Sequence, residues 1–204
     1  MIAVIDYGVG NVYSVLNAFE HLNFEAKMVS QATELVHYSG LVLPGVGSFV
    51  TGMSNLHERG FIDIIRREVN AGVPFLGFCL GLQLLAEYGH EQGGCEGLGL
   101  IKGEVRKLYS PALGLRLPHI GWNDAKNIKS TDIFGPVEML TTYYFVHSYV
   151  FQAEDKEVVA SVCNYGEEFV AAIDCENIAA TQYHPEKSHS DGLKLLSNWA
   201  GKFC

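Results

Sequence analysis

A glycine-flanked cysteine between a predicted strand and a predicted helix constrains this chain more than any other feature. The apolar residues 74–78 predict a buried strand, and residues 80–87 predict a helix. Cys79 lies between them, with Gly77 and Gly81 two residues away on either side. This layout is typical of a nucleophile elbow, in which glycines let strand and helix approach closely. We expect a strained cysteine backbone and a helix N-terminus that favours the thiolate form.

A second motif supplies the groups that a cysteine nucleophile needs. His184 follows a predicted strand, which Pro185 prevents from continuing. The carboxylate of Glu186 can reach the ring nitrogen of His184 that faces away from the sulfur, fixing the tautomer and favouring the imidazolium. A lone histidine is more often structural, but the surrounding sequence distinguishes this one. The pattern predicts that Cys79, His184 and Glu186 form a catalytic triad.

The order of predicted elements favours an α/β fold. In the first half, strands at residues 2–5, 25–29, 40–43 and 74–78 alternate with helices at 11–22 and 61–70. This order predicts a mostly parallel sheet covered on both faces. The second half is richer in strands, which we predict at residues 104–108, 143–151, 157–163, 169–173 and 178–183. A helix over 192–203 closes a single domain spanning residues 1–204, and residues 88–99 form an active-site loop.

Two glycine-containing loops follow strands of the predicted parallel sheet, where sites are expected. The glycines of residues 44–47 allow backbone N–H groups to converge on one point. Beside a cysteine nucleophile, this loop and the N–H of Leu80 become a candidate oxyanion hole, in which one donor is typically worth about a hundred- to a thousandfold in rate. The other loop, residues 6–11, contains Gly8 and Gly10 but lacks the third glycine of a dinucleotide-binding fingerprint.

Composition excludes several other functions. The net charge of −9 and the lack of a Lys/Arg cluster argue against a nucleic-acid partner. No apolar run is long enough to span a bilayer, and the opening residues 1–5 predict a strand rather than a signal peptide. Five cysteines, an odd number with uneven spacing, favour a reducing cytoplasm over a disulfide scaffold. We expect neither a cofactor nor a metal, since Cys163, Cys175, His184 and His189 lack the spacing of a zinc site.

Taken together, these motifs resemble those of the class I, triad-type, glutamine amidotransferases. Within that class the chain is similar to the glutaminase subunits of imidazole glycerol phosphate synthase. The resemblance covers nearly the whole chain and is carried by residues 6–11 (DYGVGN), 44–49 (PGVGSF), 77–83 (GFCLGLQ), 118–123 (PHIGWN), 144–149 (YFVHSY) and 182–188 (QYHPEKS). Segments 118–123 and 144–149, with Lys187 and Ser188, point to the subfamily. The resemblance implies a three-layer, flavodoxin-like fold.

The resemblance also implies a reaction and roles for single residues. Cys79 would attack the side-chain amide of L-glutamine, His184 would protonate the departing ammonia and then activate water, and Glu186 would orient His184. Backbone groups of Val46, Gly47 and Leu80 would hold the oxyanion. The expected substrate-binding positions are Gly45, Gln83, Glu91, His147, Ser148 and Tyr149.

A partner is implied as well, because ammonia released into neutral water is mostly protonated and no longer nucleophilic. The family's partner is a (β/α)8-barrel cyclase that makes imidazole glycerol phosphate and AICAR in histidine biosynthesis. A barrel of about 250 residues does not fit in this chain, so we expect a heterodimer. Positions that face the partner in the family correspond to Asn11, Trp122, Tyr144 and Lys187.

Three alternatives remain open from the sequence. One is a paralogous subunit that feeds ammonia to another acceptor, such as a nucleotide sugar. The second is a stand-alone cysteine hydrolase, such as a γ-glutamyl hydrolase or peptidase, which needs no barrel. The third is a non-catalytic scaffold subunit, against which the intact set of Cys79, His184 and Glu186 argues.

Overall fold

The elements of the fold are taken from a computed structural model that describes residues 1–109 and 114–204. The helices are α1 (Val12–His21), α2 (Phe49–Glu58), α3 (Phe61–Asn70), α4 (Leu80–Gln83) and α5 (His189–Phe203). The strands are β1 (Ile2–Ile5), β2 (Ala26–Val29), β3 (Gly40–Gly45), β4 (Phe75–Cys79), β5 (Tyr88–Gly89), β6 (Cys95–Glu96), β7 (Gly103–Lys107), β8 (His119–Asn127), β9 (Leu140–His147), β10 (Tyr149–Ala153), β11 (Val159–Asn164), β12 (Glu168–Cys175) and β13 (Ile178–Thr181).

A nine-stranded sheet forms the centre of the molecule, in the order β2-β1-β3-β4-β13-β12-β11-β8-β9. The five strands from β2 to β13 pair in parallel, and the remaining strands pair antiparallel. The predicted α/β class is confirmed, with the parallel part built from the first half of the chain and β13. Strands β3 and β4 lie side by side, so their carboxyl ends bring two of the predicted site loops together.

Helices cover both faces of the parallel part, which explains why its strands are apolar throughout. In β1, Ile2 and Val4 pack into the core beneath α1 and α5. The alternate residues Ala3 and Ile5 pack into the core beneath α2 and α3. Side chains on both faces of the strand are therefore buried. Burial on both faces fixes the position of the strand ends that carry the site.

A smaller sheet of four strands, in the order β10-β7-β5-β6, lies in the second half of the fold. The prediction of one strand over residues 143–151 was wrong, because β9 ends at His147 in the large sheet and β10 begins at Tyr149 in the small one. The predicted loop 88–99 contains the short strands β5 and β6.

The helix predicted over residues 80–87 is shorter in the structure and ends at Gln83. The next two residues, Leu84 and Leu85, give their carbonyl groups to N–H groups of residues 98, 100 and 101 instead of to a further helical turn. Tertiary pairing with this returning segment therefore replaces the helical hydrogen bonds. Helix α2 and strand β8 were not predicted.

Candidate active site

Cys79 occupies the sharp turn that its flanking sequence predicts. It is the last residue of β4 and immediately precedes α4, with a φ of 52° and a ψ of −103°. A Cβ atom at Gly77 would lie 2.8 Å from the carbonyl carbon of Gly81. A Cβ atom at Gly81 would overlap the carbonyl oxygen of Leu43. Both glycines are therefore needed for the helix to start directly after the strand.

His184 and Glu186 are held together in a buried loop after β13. The Nδ1 atom of His184 lies 2.9 Å from Oε1 of Glu186, and each side chain is 2% exposed. The backbone N–H of His184 donates to the carbonyl of Tyr144 at 3.0 Å, which ties the loop to β9. These contacts fix the ring with its Nδ1 edge towards the carboxylate.

Charges around His184 favour its protonated form. Burial lowers the pKa of the imidazole, but the neighbouring Cys79 and Glu186 outweigh it and raise the pKa from 6.5 to about 10. Among the described residues, Nε2 makes no hydrogen bond within ordinary geometric limits. Catalytic hydrogen bonds are commonly long before substrate binds and tighten afterwards. The arrangement suits an imidazolium that faces Cys79.

Among the described residues, two polar groups besides His184 lie near the sulfur of Cys79. Its Sγ atom lies 3.6 Å from the carbonyl oxygen of Val146. The Nε2 atom of Gln182 donates to Sγ at 3.7 Å, and Oε1 of Gln182 accepts from Gln83 at 3.0 Å. Sequence reasoning assigned no role to Gln182, although it lies within the motif that carries His184. Gln182 thus places an N–H donor against the sulfur of Cys79.

The predicted oxyanion loop lies beside the cysteine. Gly45, the last residue of β3, is the register partner of Cys79. Val46 and Gly47 follow, and Gly47 has a φ of 106°, a conformation suited to glycine. Leu80 begins α4, so its N–H is among the donors that a helix leaves without an intrahelical partner. Residues of two segments, one after β3 and one at the start of α4, thus lie next to Cys79.

A cleft of about 420 Å³ opens over this site. Its volume falls within the range of small-molecule pockets. The carboxylate of Glu91 lines the cleft and accepts the N–H of Phe49 at 2.8 Å, at the start of α2. The lining residues are Val46, Gly47, Cys79, Gln83, Glu91, Pro118, Tyr144, Val146, His147, Ser148, Tyr149 and Lys187.

The residues expected to face a partner do not all lie in the cleft. Tyr144 and Lys187 line it, and Trp122 lies next to Tyr144 with the ring centroids 5.9 Å apart. Trp122 also stacks on His189, at 4.9 Å between centroids. Asn11 lies at the start of α1, where its side chain accepts the N–H of Ser14. Three of the four residues thus surround the mouth of the cleft.

Tyr7 is a further buried polar residue at the site that sequence reasoning missed. Its hydroxyl has no hydrogen-bond partner within the described residues. It packs against Gly45, where an added Cβ atom would overlap it. Burial, together with the nearby Cys79, raises the pKa of the Tyr7 phenol far above its ordinary value. Tyr7 therefore stays neutral behind the oxyanion loop.

Within residues 1–109 and 114–204, no group of three or more His, Cys, Asp or Glu side chains is placed to hold a metal ion. No helix of that part of the chain combines the length and apolar character needed to cross a membrane.

Comparison with known proteins identifies the family. The family model described as glutamine amidotransferase class-I matches residues 3–202. The chain belongs to this family. One relative, the imidazole glycerol phosphate synthase subunit HisH of Aquifex aeolicus (strain VF5), is 46% identical over 200 residues, which cover 98% of this chain and 95% of the relative. The subunit HisH 1 of Campylobacter jejuni (strain RM1221) is 44% identical, over 98% of each chain.

Solved structures support the same fold. A crystal structure of a glutamine amidotransferase has a TM-score of 0.76 and 22% identity, and the match covers 98% of this chain and all (100%) of that one. PurLQS from Thermotoga maritima has a TM-score of 0.77 and 19% identity, over 98% and 97% of the two chains. The predicted amidotransferase family and its fold are confirmed.

Proposed function

We propose that this class I glutamine amidotransferase is the glutaminase subunit of an imidazole glycerol phosphate synthase, acting in histidine biosynthesis. Relatives named as HisH subunits match it over nearly their full length. The observation that carries the chemical part of the proposal is the meeting of Cys79, His184 and Glu186 below a cleft large enough for an amino acid. These three residues are the proposed catalytic triad.

The first half of the reaction forms a thioester. The thiolate of Cys79 attacks the side-chain amide carbon of L-glutamine and forms a tetrahedral oxyanion. Backbone N–H groups of the segment that contains Val46 and Gly47, and of Leu80, stabilise that oxygen. The imidazolium of His184 donates its proton to the amide nitrogen as the C–N bond breaks, so ammonia leaves and a γ-glutamyl thioester remains.

The second half of the reaction releases glutamate. His184, now neutral, takes a proton from a water molecule as that water attacks the thioester carbon. The C–S bond breaks, and the thiolate and the imidazolium are both regenerated. Glu186 keeps Nδ1 protonated and the ring in one orientation throughout. The acidic Glu91 and the backbone at Ser148 and Tyr149 are the proposed contacts of the substrate's amino and carboxylate groups, with Gly45, Gln83 and His147 supporting them.

The ammonia passes to a second chain. We propose a cyclase subunit of (β/α)8-barrel fold that docks over the mouth of the cleft, against Trp122, Tyr144, Lys187 and the neighbouring Asn11. Direct transfer keeps ammonia unprotonated until it reaches its acceptor. All five cysteines are free, as a reducing cytoplasm permits, and the cytoplasm is the proposed location of the complex.

Glutamate release from glutamine, measured with and without the barrel subunit and its nucleotide ligand, tests the proposal. We expect a low rate from the isolated chain and strong stimulation by the complete complex. Full activity of the isolated chain would indicate a stand-alone hydrolase. Inactivity in every mixture would indicate a scaffold. Stimulation by a different acceptor enzyme alone would assign the chain to a paralogous pathway.

A cysteine variant separates the two half-reactions. Cys79→Ser should abolish glutamine-dependent synthesis and leave the complex active with added ammonium salt at high pH. Cys204→Ser is the matched control, because Cys204 is exposed at the chain end, and it should retain both activities. Loss of the ammonia-dependent reaction in Cys79→Ser would contradict the proposed division of labour.

A further inference from the structure

Two buried histidines outside the triad lie directly beside the cleft. His119 begins β8 and His147 ends β9, and the two residues are register partners in adjacent strands. Their exposed fractions are 2% and 6%. The Nδ1 atom of His119 lies 3.1 Å from Nε2 of His147. Two imidazoles in hydrogen-bonding contact must share one proton between the facing nitrogens, so their protonation states are linked.

The neighbours of the two rings determine which nitrogen carries each proton. Nδ1 of His147 lies 3.0 Å from the carbonyl oxygen of Tyr149, which can only accept, so Nδ1 of His147 carries a hydrogen. In the neutral ring Nε2 then has the lone pair and accepts from Nδ1–H of His119.

The far side of His119 completes the same pattern. Nδ2 of Asn123 lies 3.2 Å from Nε2 of His119 and also donates to the carbonyl of Asn164 at 3.0 Å. The Oδ1 atom of Asn123 accepts the N–H of Asp124, so the amide orientation is fixed by two backbone groups. Every hydrogen bond is satisfied when both rings are neutral and carry their proton on Nδ1.

The surroundings of the rings favour neutrality. His119 stacks on Tyr165 at 4.0 Å between centroids and on Phe145 at 5.1 Å, and Phe169 packs against both histidines. Burial lowers the pKa of His119 to about 4. Burial and, after it, His119 lower the pKa of His147 to about 3; the hydrogen bond to the Tyr149 carbonyl partly opposes them, and the charge on His184 has the smallest effect.

This series of hydrogen bonds ends at the carbonyl of Tyr149, a residue that lines the cleft. The Tyr149 carbonyl accepts from His147 and also from Nε2 of Gln83 at 2.9 Å. Tyr149 begins β10, at the point where the chain leaves the large sheet for the small one. The residue before His119, Pro118, lines the cleft as well. The histidine pair thus connects two walls of the cleft.

We propose that His119 is a positioning residue: through His147 it holds the Tyr149 carbonyl and, with it, the cleft wall that contacts the glutamine substrate. The proposal rests on the proposed glutaminase function for its kinetic consequence only. Within residues 1–109 and 114–204, the hydrogen-bond and ring contacts of His119 are with Asn123, His147 and aromatic side chains, and not with the proposed triad. It acts by keeping the backbone of residues 147–149 in the one geometry that fits the substrate.

Nitrogen NMR of the full chain, labelled with ¹⁵N in its histidines, tests the hydrogen-bond chain without any activity. At pH 7 we expect His119 and His147 both to give signals of the neutral Nδ1–H tautomer, which is the less common form of free histidine. An Nε2–H tautomer or an imidazolium at either residue would overturn the proposal.

An isosteric variant extends this test. Asn123→Asp replaces the donor to Nε2 of His119 with a carboxylate, so we expect the ¹⁵N signals of His119 to become those of an imidazolium at pH 7. Unchanged neutral signals in a folded Asn123→Asp protein would mean that Asn123 is not the donor. The proposed series of hydrogen bonds would then be wrong.

A matched pair of variants tests the positioning role in the complete complex. His119→Phe keeps an aromatic ring but removes the hydrogen bond, and we expect the KM for glutamine to rise about tenfold, the size expected for one lost buried hydrogen bond. The kcat for glutamine and the ammonia-dependent synthesis should stay within about threefold, since neither the triad nor the ammonia acceptor is disturbed.

His119→Asn provides the rescue. Its amide N–H can take the place of Nδ1–H, so the KM for glutamine should return to within about twofold of the wild-type value. A wild-type KM in His119→Phe, or equal defects in both variants, would overturn the positioning role. A wild-type complex that releases no glutamate would instead refute the proposed function. The NMR result would still decide whether the hydrogen bonds from Asn123 through His119 and His147 to Tyr149 exist.

Discussion

Cys79 adopts a backbone conformation that few non-glycine residues tolerate. A φ of 52° with a ψ of −103° lies outside the ordinary allowed regions, and such strain costs on the order of 1–3 kcal/mol. The surrounding structure maintains it, because β4 is buried between β3 and β13 and α4 packs directly against β3. The strained turn places the sulfur at the carboxyl end of β4, where the cleft lies.

The close approach at Gly81 leads to a stability prediction. In Gly81→Ala the new Cβ atom would overlap the Leu43 carbonyl, so β3 and α4 must separate. We expect the free energy of unfolding to fall by about 3 kcal/mol, measured by urea denaturation. Gly201→Ala is the control, because Gly201 lies in α5 with no atom near the added methyl group, and it should stabilise the chain by about 0.5–1 kcal/mol. Equal effects of the two substitutions would refute this explanation.

The carboxylate of Glu186 has a predicted kinetic effect. Glu186→Gln keeps the size of the side chain but removes the negative charge that stabilises the His184 imidazolium. We expect kcat for glutamine to fall about a hundredfold or more, with KM nearly unchanged, in steady-state assays of the complex. Exposed Glu154 provides the control, and Glu154→Gln should behave as wild type. An active Glu186→Gln enzyme would remove Glu186 from the triad.

Buried neutral histidines predict how stability depends on pH. The pKa values of His119 and His147 are about 4 and about 3, below the ordinary 6.5, so only the unfolded chain takes up protons there as the pH falls from 6.5 towards 4. Stability should fall across that window by about 2 kcal/mol per pH unit, because each of the two groups contributes up to about 1.4 kcal/mol per unit. The raised pKa of His184 has the opposite effect at high pH. The stability that it contributes is fully present below pH 6.5 and is lost as the pH rises towards about 10.

Urea unfolding at a series of pH values measures this slope. His119→Phe removes one of the two groups, so its stability should change less steeply than that of the wild type between pH 4.5 and 6.5, whatever its stability at pH 7. A variant slope as steep as that of the wild type would show that His119 is already protonated in the folded chain.

Helix α2 illustrates how an element can escape a sequence prediction. Its buried positions are Phe49, Gly52, Met53 and Leu56, which have helical spacing. Gly52 adds no apolar side chain to the pattern, so the periodicity is hidden. A Cβ atom at Gly52 would lie 3.1 Å from a methyl carbon of Leu80, so α2 packs tightly against the elbow there. The close packing that positions the elbow therefore also conceals the helix.

The N-terminus of α2 gives a prediction at the scale of the element. The Ser48 hydroxyl accepts the N–H of Thr51 at 3.2 Å and so caps the helix. Ser48→Ala should lower the free energy of unfolding by about 1 kcal/mol in urea denaturation. Ser54→Ala, exposed within the same helix, should change it by less than about 0.5 kcal/mol. Indistinguishable effects would mean that the cap contributes nothing.

Local sequence predicts the bounds of an element correctly when contacts with distant residues do not interrupt its hydrophobic pattern. Strand β1 and helix α3 have the predicted bounds, since their periodicity matches their burial. Residues 143–151 have uniform β character, and only pairing with two different partners, β8 and β7, divides them at Ser148. Such partners are distant in sequence, so no local pattern indicates the break.

The same distinction applies to the site. Cys79, His184 and Glu186 could be proposed because their motifs contain the chemistry within a few residues. The contact between Gln182 and Cys79 joins residues 103 positions apart, and the packing of Tyr7 against Gly45 depends on the order of strands β1 and β3. The fold creates these contacts, and the motifs do not contain them.

At the scale of the whole molecule, the cleft lies where the two sheets diverge. The proposed triad comes from β4 and the loop after β13, whereas the opposite wall comes from the β9–β10 junction. Next to the cleft, β8 exposes apolar side chains in alternation: Ile120 is 59% exposed and Trp122 is 47% exposed. Alternate residues of a strand share a face, so these two form one apolar surface beside the cleft mouth.

We predict that the proposed barrel subunit docks on this surface. Ile120→Asp places a charge on the apolar face, and we expect the affinity for the barrel subunit to fall about 10- to 100-fold, measured by isothermal titration calorimetry. Ile128 is the matched control, because it follows the other end of β8 and is 44% exposed. Ile128→Asp should bind normally. Thermal melting of the isolated chain should be the same for both variants, since neither side chain is in the core.

The glutaminase rate provides a second measurement of the same surface. If docking at Ile120 closes the cleft mouth, Ile120→Asp should require a higher barrel concentration for half-maximal stimulation and still reach the wild-type rate at saturation, because the triad is untouched. A variant that binds tightly but is never stimulated would place Ile120 in the activation step rather than in binding. Normal affinity and normal stimulation would mean that the barrel docks on a different face of the molecule.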